Sequence, residues 1–273
     1  MKIETILVEE MGFSAPLTVY IQENFEEIDS QRRRPMVIIC PGGGYEFLSP
    51  REAEPVALRF LSLGFQAAVL SYSVESAHFP IALRQLARAV AVVRGNATKW
   101  HVDPQKVIPM GFSAGGHLAA SLGTFWNHEV LADLNRELEI RPDGLILNYP
   151  VITSGRYAHE SSFRNLLGEA FEEKRELVSL ELQVTEAMPP TFLWHTVEDR
   201  WVPAKNSLLL ADALFDAGVP FEFHLFNRGD HGLSLGSEQT AGPAEADLIL
   251  EDVQGWPELA CRWVQELKGM CAK

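Results

Sequence analysis

The rhythm of apolar positions changes at residue 36. Before it, residues 3–8 and 17–21 alternate apolar and polar side chains. That period-two pattern predicts half-buried strands, paired antiparallel at a sheet edge. From Met36-Val37-Ile38-Ile39-Cys40 onward the strands are continuous apolar runs, as expected where helices cover both faces of a sheet. Further strands are predicted over 66–70, 107–111, 144–149, 190–195 and 221–226, which makes eight in all. Helical spacing falls between them, over 52–63, 80–94, 114–125, 203–217 and 256–267. Leu83, Leu86, Ala87, Val90 and Val93 form one apolar stripe, with Pro80 in the first turn of their helix. Alternating strands and helices predict a single α/β domain over 1–273, a mostly parallel sheet with helices on both faces. One segment breaks the rhythm. Residues 151–189 are charged, with scattered apolar residues such as Phe163, Leu166 and Phe171. They are too few for a core of their own and predict an inserted helical cap. The run Gln31-Arg32-Arg33-Arg34 is expected to be a solvated turn.

Composition narrows the function classes. The 273 residues carry 23 Lys and Arg against 37 Asp and Glu, a formal charge of −14. Such a surface argues against binding a phosphate backbone, so no nucleic acid partner is expected. No apolar run approaches the roughly 18 residues of a membrane span, and no secretory signal pattern opens the chain. Three cysteines, Cys40, Cys261 and Cys271, fit free thiols in a reducing cytoplasm. None stands in zinc-ligand spacing, so no metal is expected.

The sharpest local signal is Gly111-Phe112-Ser113-Ala114-Gly115. This is G-x-S-x-G between a predicted strand and a predicted helix, a turn that lifts a serine above the sheet. A serine hydroxyl needs a base to take its proton. His231 follows the last strand and is the preferred base. His224 lies within that strand, His195 ends the previous one, and His117 sits one helical turn past Ser113, where it packs or caps. The imidazole in turn needs a carboxylate. Asp199 follows strand 190–195; Glu198 is its rival, and Asp230 is read as a turn residue. The glycines of Pro41-Gly42-Gly43-Gly44-Tyr45 allow backbone amides to approach an oxyanion, so Gly43, Gly44 and Ala114 are the expected donors.

Together these elements resemble the α/β-hydrolase superfamily. The glycine run looks like the HGGG segment of hormone-sensitive-lipase-like esterases. The run 111–117, the Asp-x-x-Val-Pro run 199–203 and Tyr149-Pro150-Val151-Ile152 are more similar to small carbohydrate acetylesterases related to acetylxylan esterases. So is the cluster His159, Ser162 and Asn165. The family's histidine before the glycines is Pro41 here, which leaves the support of the loop open.

The resemblance implies a serine carboxylesterase acting on short acyl, chiefly acetyl, esters of carbohydrates, with no cofactor. The partner is then a small-molecule ester such as an acetylated sugar; self-association into a homo-oligomer is left open. Tyr45 and Trp201 suit a pocket wall and plain packing equally. His159 and Ser162 are expected at the cap surface, with the alcohol side of the pocket as their alternative place. An arylformamidase, a small peptidase and a non-catalytic binding protein are the competing readings of the same scaffold.

Overall fold

The structure, a computed structural model, describes residues 1–270; Cys271 lies outside the described residues. Eight strands form one sheet: β1 (Lys2–Glu10), β2 (Phe13–Ile21), β3 (Arg34–Cys40), β4 (Gln66–Leu70), β5 (Val102–Phe112), β6 (Leu145–Asn148), β7 (Thr191–Thr196) and β8 (Phe221–Phe226). Their spatial order is β1-β2-β4-β3-β5-β6-β7-β8. β2 pairs antiparallel with both β1 and β4, and every later pairing is parallel.

Alternate residues of the central strands serve two separate cores. Met36, Ile38 and Cys40 of β3 face one, while Val37 and Ile39 face the other. The first core is completed by helices α2 (Ile81–Gly95), α3 (Ala114–Phe125) and α7 (Lys205–Asp216), which contribute Leu86, Leu118 and Leu210 among others. The second is completed by α1 (Glu54–Ser62) and α8 (Trp256–Met270), through Phe60, Trp256 and Trp263. Trp194 of β7 stacks on Trp256 with ring centroids 5.7 Å apart, fastening α8 to the sheet. This two-sided burial is why the strands read as unbroken apolar runs.

Segment 151–189 folds as short helices, α5 (Glu160–Leu167) and α6 (Phe171–Lys174), joined by single 3-10 turns. Its apolar residues Phe163, Leu166, Leu167, Phe171, Val178 and Leu180 lie in the same core as α2 and α3. One short helix, α4 (Ala132–Glu137), has no counterpart in the expected elements. The solvated-turn expectation for the arginine run needs correction at its end. Arg34 begins β3 and is buried, with its guanidinium on Asn24 Oδ1 at 2.5 Å. Because β3 and β5 to β8 run parallel, the loops that follow them gather at one edge of the sheet, where ligands of open α/β sheets bind.

Candidate active site

Ser113 occupies the turn between β5 and α3 with φ 52° and ψ −118°. Such a backbone costs about 1–3 kcal/mol in a non-glycine residue and persists only where its surroundings enforce it. They do so here. Ser113 N donates to Asn148 O at 3.1 Å, and Val151 N donates to Ser113 O at 3.0 Å. Close approach explains the flanking glycines. A Cβ on Gly111 would lie 1.9 Å from Gly115 O, and one on Gly115 would lie 2.1 Å from Cys40 O.

The three polar residues expected from the spacing meet at this edge. His231 Nδ1 donates to Asp199 Oδ2 at 2.6 Å, which leaves Nε2 to accept the Ser113 hydroxyl proton at 2.8 Å. Asp199 is buried and its carboxylate is saturated. Oδ1 accepts from Trp201 N at 3.0 Å and Val202 N at 2.8 Å. Oδ2 also accepts from His195 Nε2 at 3.2 Å. Burial alone would raise the Asp199 pKa; the hydrogen bonds from His195 and His231 outweigh it and hold the carboxyl well below the usual range. Glu198 is exposed and accepts from Gly229 N at 3.2 Å, away from the imidazole. Asp230 takes an N–H from Arg200 Nε at 2.9 Å, as a surface turn residue does.

The sequence offers His195 only as a rival base, yet it touches the same carboxylate oxygen as His231. Its Nε2 faces two acceptors, Asp199 Oδ2 and Val202 O at 2.9 Å, so the proton sits there and Nδ1 accepts from Ser207 Oγ at 2.7 Å. His224 pairs with Glu222 on β8, and His117 packs inside the core.

The glycine loop has its brace despite Pro41. Tyr72 Oη donates to Pro41 O at 2.7 Å, Gly42 N donates to Glu52 Oε2 at 2.8 Å, and Asn165 Nδ2 donates to Gly44 O at 2.9 Å. Among the described residues, none of the amides of Gly43, Gly44 and Ala114 is spent on an internal hydrogen bond. Ala114 opens α3, so its amide also carries the positive end of that helix dipole. Neither Glu52 nor Tyr72 carries a distinguishing sequence signal: Glu52 reads as the start of a helix, and Tyr72 as a residue past a strand.

Gly43, Gly44, Ser113, His159, Trp201 and His231 line one cavity of about 1010 Å³. Its far wall comes from residues 239–248, a stretch without strand or long-helix periodicity that the pattern left unassigned. Arg51 pins that wall through Glu245 at 2.8 Å. Trp201 stands 67% exposed on the rim. Tyr45 is not on the cavity wall. It is buried, and its hydroxyl meets His117 Nδ1 at 2.8 Å, because the loop turns the ring inward against Tyr72. The surface expectation for the cap pair also needs correction. Ser162 is 1% exposed and bonds His159 Nδ1 at 2.8 Å, since α5 turns that face toward the glycine loop. Burial, followed by the charge of His231, lowers the His159 pKa. Among the described residues no group of three or more His, Cys, Asp or Glu is arranged to hold a metal ion, and no helix is long and apolar enough to cross a membrane.

Comparison with known proteins places this geometry in context. Residues 22–214 match the BD-FAE family model. The chain is 41% identical over 217 residues to endo-1,4-beta-xylanase B of Butyrivibrio fibrisolvens, covering 76% of this chain and 34% of that protein. It is 29% identical over 227 residues to an acetylxylan esterase of Xylanibacter ruminicola, covering 81% of this chain and 44% of that protein. The chain thus spans under half the length of each of these two curated relatives. Among solved structures, an acetyl ester-xyloside bifunctional hydrolase from Caldicellulosiruptor lactoaceticus superposes with a TM-score of 0.82 at 36% identity, covering 97% of this chain and 96% of that one. With an eight-stranded, mostly parallel sheet and these relatives, the chain is an α/β-hydrolase and belongs to the BD-FAE family.

Proposed function

We propose that this protein is a serine carboxylesterase that removes short acyl groups, acetyl foremost, from carbohydrate esters. The observation that carries the reading is the continuous relay from Asp199 through His231 to Ser113, opening onto the cavity that Gly43 and Gly44 line. Ser113 Oγ attacks the ester carbonyl as His231 Nε2 takes its proton. Asp199 holds the imidazole in the required tautomer and supports its positive charge. Free amides of Gly43, Gly44 and Ala114 meet the oxyanion, an arrangement in which each donor is worth on the order of 100- to 1000-fold in rate. His231 returns the proton to the leaving alcohol. It then activates the water that clears the acyl-enzyme.

The carbohydrate reading draws on the relatives' named activities and on the cavity. About 1010 Å³ exceeds what an acetyl group needs, and the wall carries Gln239, Thr240, Glu245 and Asp247 with Trp201 at the rim. Such a lining suits a hydroxylated leaving group. Hydrolysis of p-nitrophenyl acetate, butyrate and octanoate by wild type and Ser113→Ala tests the reading, followed by acetylated xylo-oligosaccharides. Acetate should be cleaved fastest, and the variant should be inactive. Equal, slow rates for the two proteins on all three esters would overturn it and direct the search to formamide and aminoacyl-anilide substrates.

A further inference from the structure

The active site contains a second buried carboxylate that the ester mechanism does not use. Glu52 ends the 3-10 turn Pro50–Glu52 and is 2% exposed. Its neighbour Arg51 pairs with Glu245 instead, and among the described residues no Lys, Arg or His forms an ion pair with Glu52. Two donors hold it. Gly42 N reaches Oε2 at 2.8 Å, and Tyr149 Oη reaches Oε1 at 2.7 Å. The tyrosine oxygen in turn accepts from Ser234 N at 2.9 Å, and Ser234 Oγ donates to Arg51 O at 2.7 Å. The chain of bonds closes on itself. It ties together the glycine loop after β3, the loop after β6 and the loop that carries His231.

Only an ionised carboxylate satisfies this ring. Both oxygens accept, and Tyr149 Oη already accepts from Ser234 N, so a proton on Glu52 would have no acceptor while the phenol kept its own donation. An amide fails as well. With its oxygen toward Gly42 N, its NH₂ meets a tyrosine hydroxyl that must then find another acceptor; flipped, its NH₂ faces the Gly42 N–H. Burial raises the Glu52 pKa above the ordinary carboxylate value, and the Tyr149 hydrogen bond, the charge of His231 and the Gly42 hydrogen bond offset only part of that rise. The ring also spans strained backbone, with φ 36° at Tyr149 and 52° at Ser234. Tyr149 packs edge-on to the His231 ring, with centroids 5.1 Å apart.

We propose that Glu52 is a positioning residue of the active site. Through Gly42 and Tyr149 it fixes the oxyanion loop relative to the histidine loop, and its negative charge favours the imidazolium formed when Ser113 gives up its proton. This inference rests on the serine-esterase reading above. The groups that face His231 are Asp199 and Ser113 in direct contact, Tyr149 and Glu52 from the β6 and β3 sides, and His159 from the cap. Asp230, adjacent in sequence, accepts from the His231 backbone N at 2.9 Å and is paired with Arg200. Glu52 is therefore the one carboxylate besides Asp199 in that set.

The test is p-nitrophenyl acetate hydrolysis by wild type, Ser113→Ala, Glu52→Gln and Tyr149→Phe, from about pH 5 to pH 9. Glu52→Gln should lose roughly 10- to 100-fold in kcat with little change in KM. The acid limb of its kcat/KM profile should move to lower pH by about half a unit or more, because a charge that favours the imidazolium is gone. Tyr149→Phe keeps that charge and cuts the bridge, so kcat should fall with the limb in place. Urea midpoints show whether each variant is folded. A Glu52→Gln profile that superposes on wild type, or a folded Tyr149→Phe with wild-type kcat, overturns the inference. The esterase reading fails separately, if wild type is no faster than Ser113→Ala.

Discussion

Lowering the pH from about 7.5 to about 4 should cost the fold about 3 kcal/mol through a single side chain, His117. This residue lies on α3, wholly buried. Its Nε2 donates to Val178 O in the cap at 2.9 Å, and its Nδ1 accepts from Tyr45 Oη in the glycine loop at 2.8 Å. Burial holds its pKa down at about 4 against an ordinary 6.5, with the Val178 carbonyl opposing. An unfolded chain takes up this proton near 6.5; the native one resists until about 4. As the pH falls through that window the unfolded state binds more protons, so stability drains away there and levels off below it. At about 1.4 kcal/mol per pKa unit, the window is worth about 3 kcal/mol by pH 4. Urea unfolding of wild type and His117→Gln at matched pH values isolates the effect, since carboxylates and the other histidines are common to both. The variant should be less stable at pH 7.5 by about 1–3 kcal/mol, from lost hydrogen bonds. That gap should then narrow by about 3 kcal/mol as the pH reaches 4. Two stability curves that stay parallel from pH 7.5 to 4 would refute the argument.

Three substitutions probe the rest of the site. Gly43→Ala puts a Cβ 2.1 Å from Phe47 O at φ +126°, so the loop must move. Its kcat should fall about 100- to 1000-fold, and a folded variant keeping a tenth of the wild-type rate would contradict the oxyanion assignment. His195→Phe strips a donor from Asp199 and an acceptor from Ser207, both buried. About 1–3 kcal/mol should be lost in urea unfolding, with slower turnover; an unchanged midpoint would show that the second histidine is dispensable. Trp201→Ala removes an exposed side chain and should leave stability within about 0.5 kcal/mol. KM should rise for acetylated xylo-oligosaccharides and hold for p-nitrophenyl acetate; equal effects on both would remove Trp201 from the leaving-group side.

What the sequence made legible followed from local rules. Buried strands appear as apolar runs and buried helices as apolar stripes, so 66–70 and 114–125 coincide with β4 and α3. The tight turn at Ser113 demands glycines at fixed offsets, and that demand shows in five letters. Residues that act across the fold were not legible. Glu52, His195 and Tyr149 gain their meaning from partners 97, 4 and 85 positions away in Tyr149, Asp199 and Ser234. The contact between Glu52 and Gly42 depends on how the β3 loop curls back, which no period encodes. Tyr45 was open between pocket and packing for a related reason. Adjacency to Gly44 says nothing about which way a ring turns, and here φ 58° sends it toward His117. The 239–248 wall was invisible because it is held by turns and one ion pair rather than by an apolar stripe.

The same cross-fold contacts bear on whether the cap opens as a lid. Phe163, Leu166, Leu167, Phe171, Val178 and Leu180 all pack into the α2–α3 core. At roughly 1.5–3 kcal/mol for each large side chain, exposing them together would cost on the order of 10 kcal/mol. Half of that, allowing for contacts the cap keeps within itself, is still about 5 kcal/mol, an open population of roughly one in several thousand. Polar ties add to the cost. Phe79 N donates to Leu166 O at 2.8 Å, Asn165 reaches Gly44 O, and His117 reaches Val178 O. The Asn165 bond is also a brace of the glycine loop, so an open cap would loosen the loop whose amides are proposed to receive the oxyanion. On the proposed reading, the expected entry is the cavity mouth beside Trp201, with the cap in place. Hydrogen exchange reads this directly: amides of α5 should be protected to nearly the same degree as those of α3. Fast exchange across residues 160–167, with α3 still protected, would mean that the cap detaches on its own and that the loop is braced some other way.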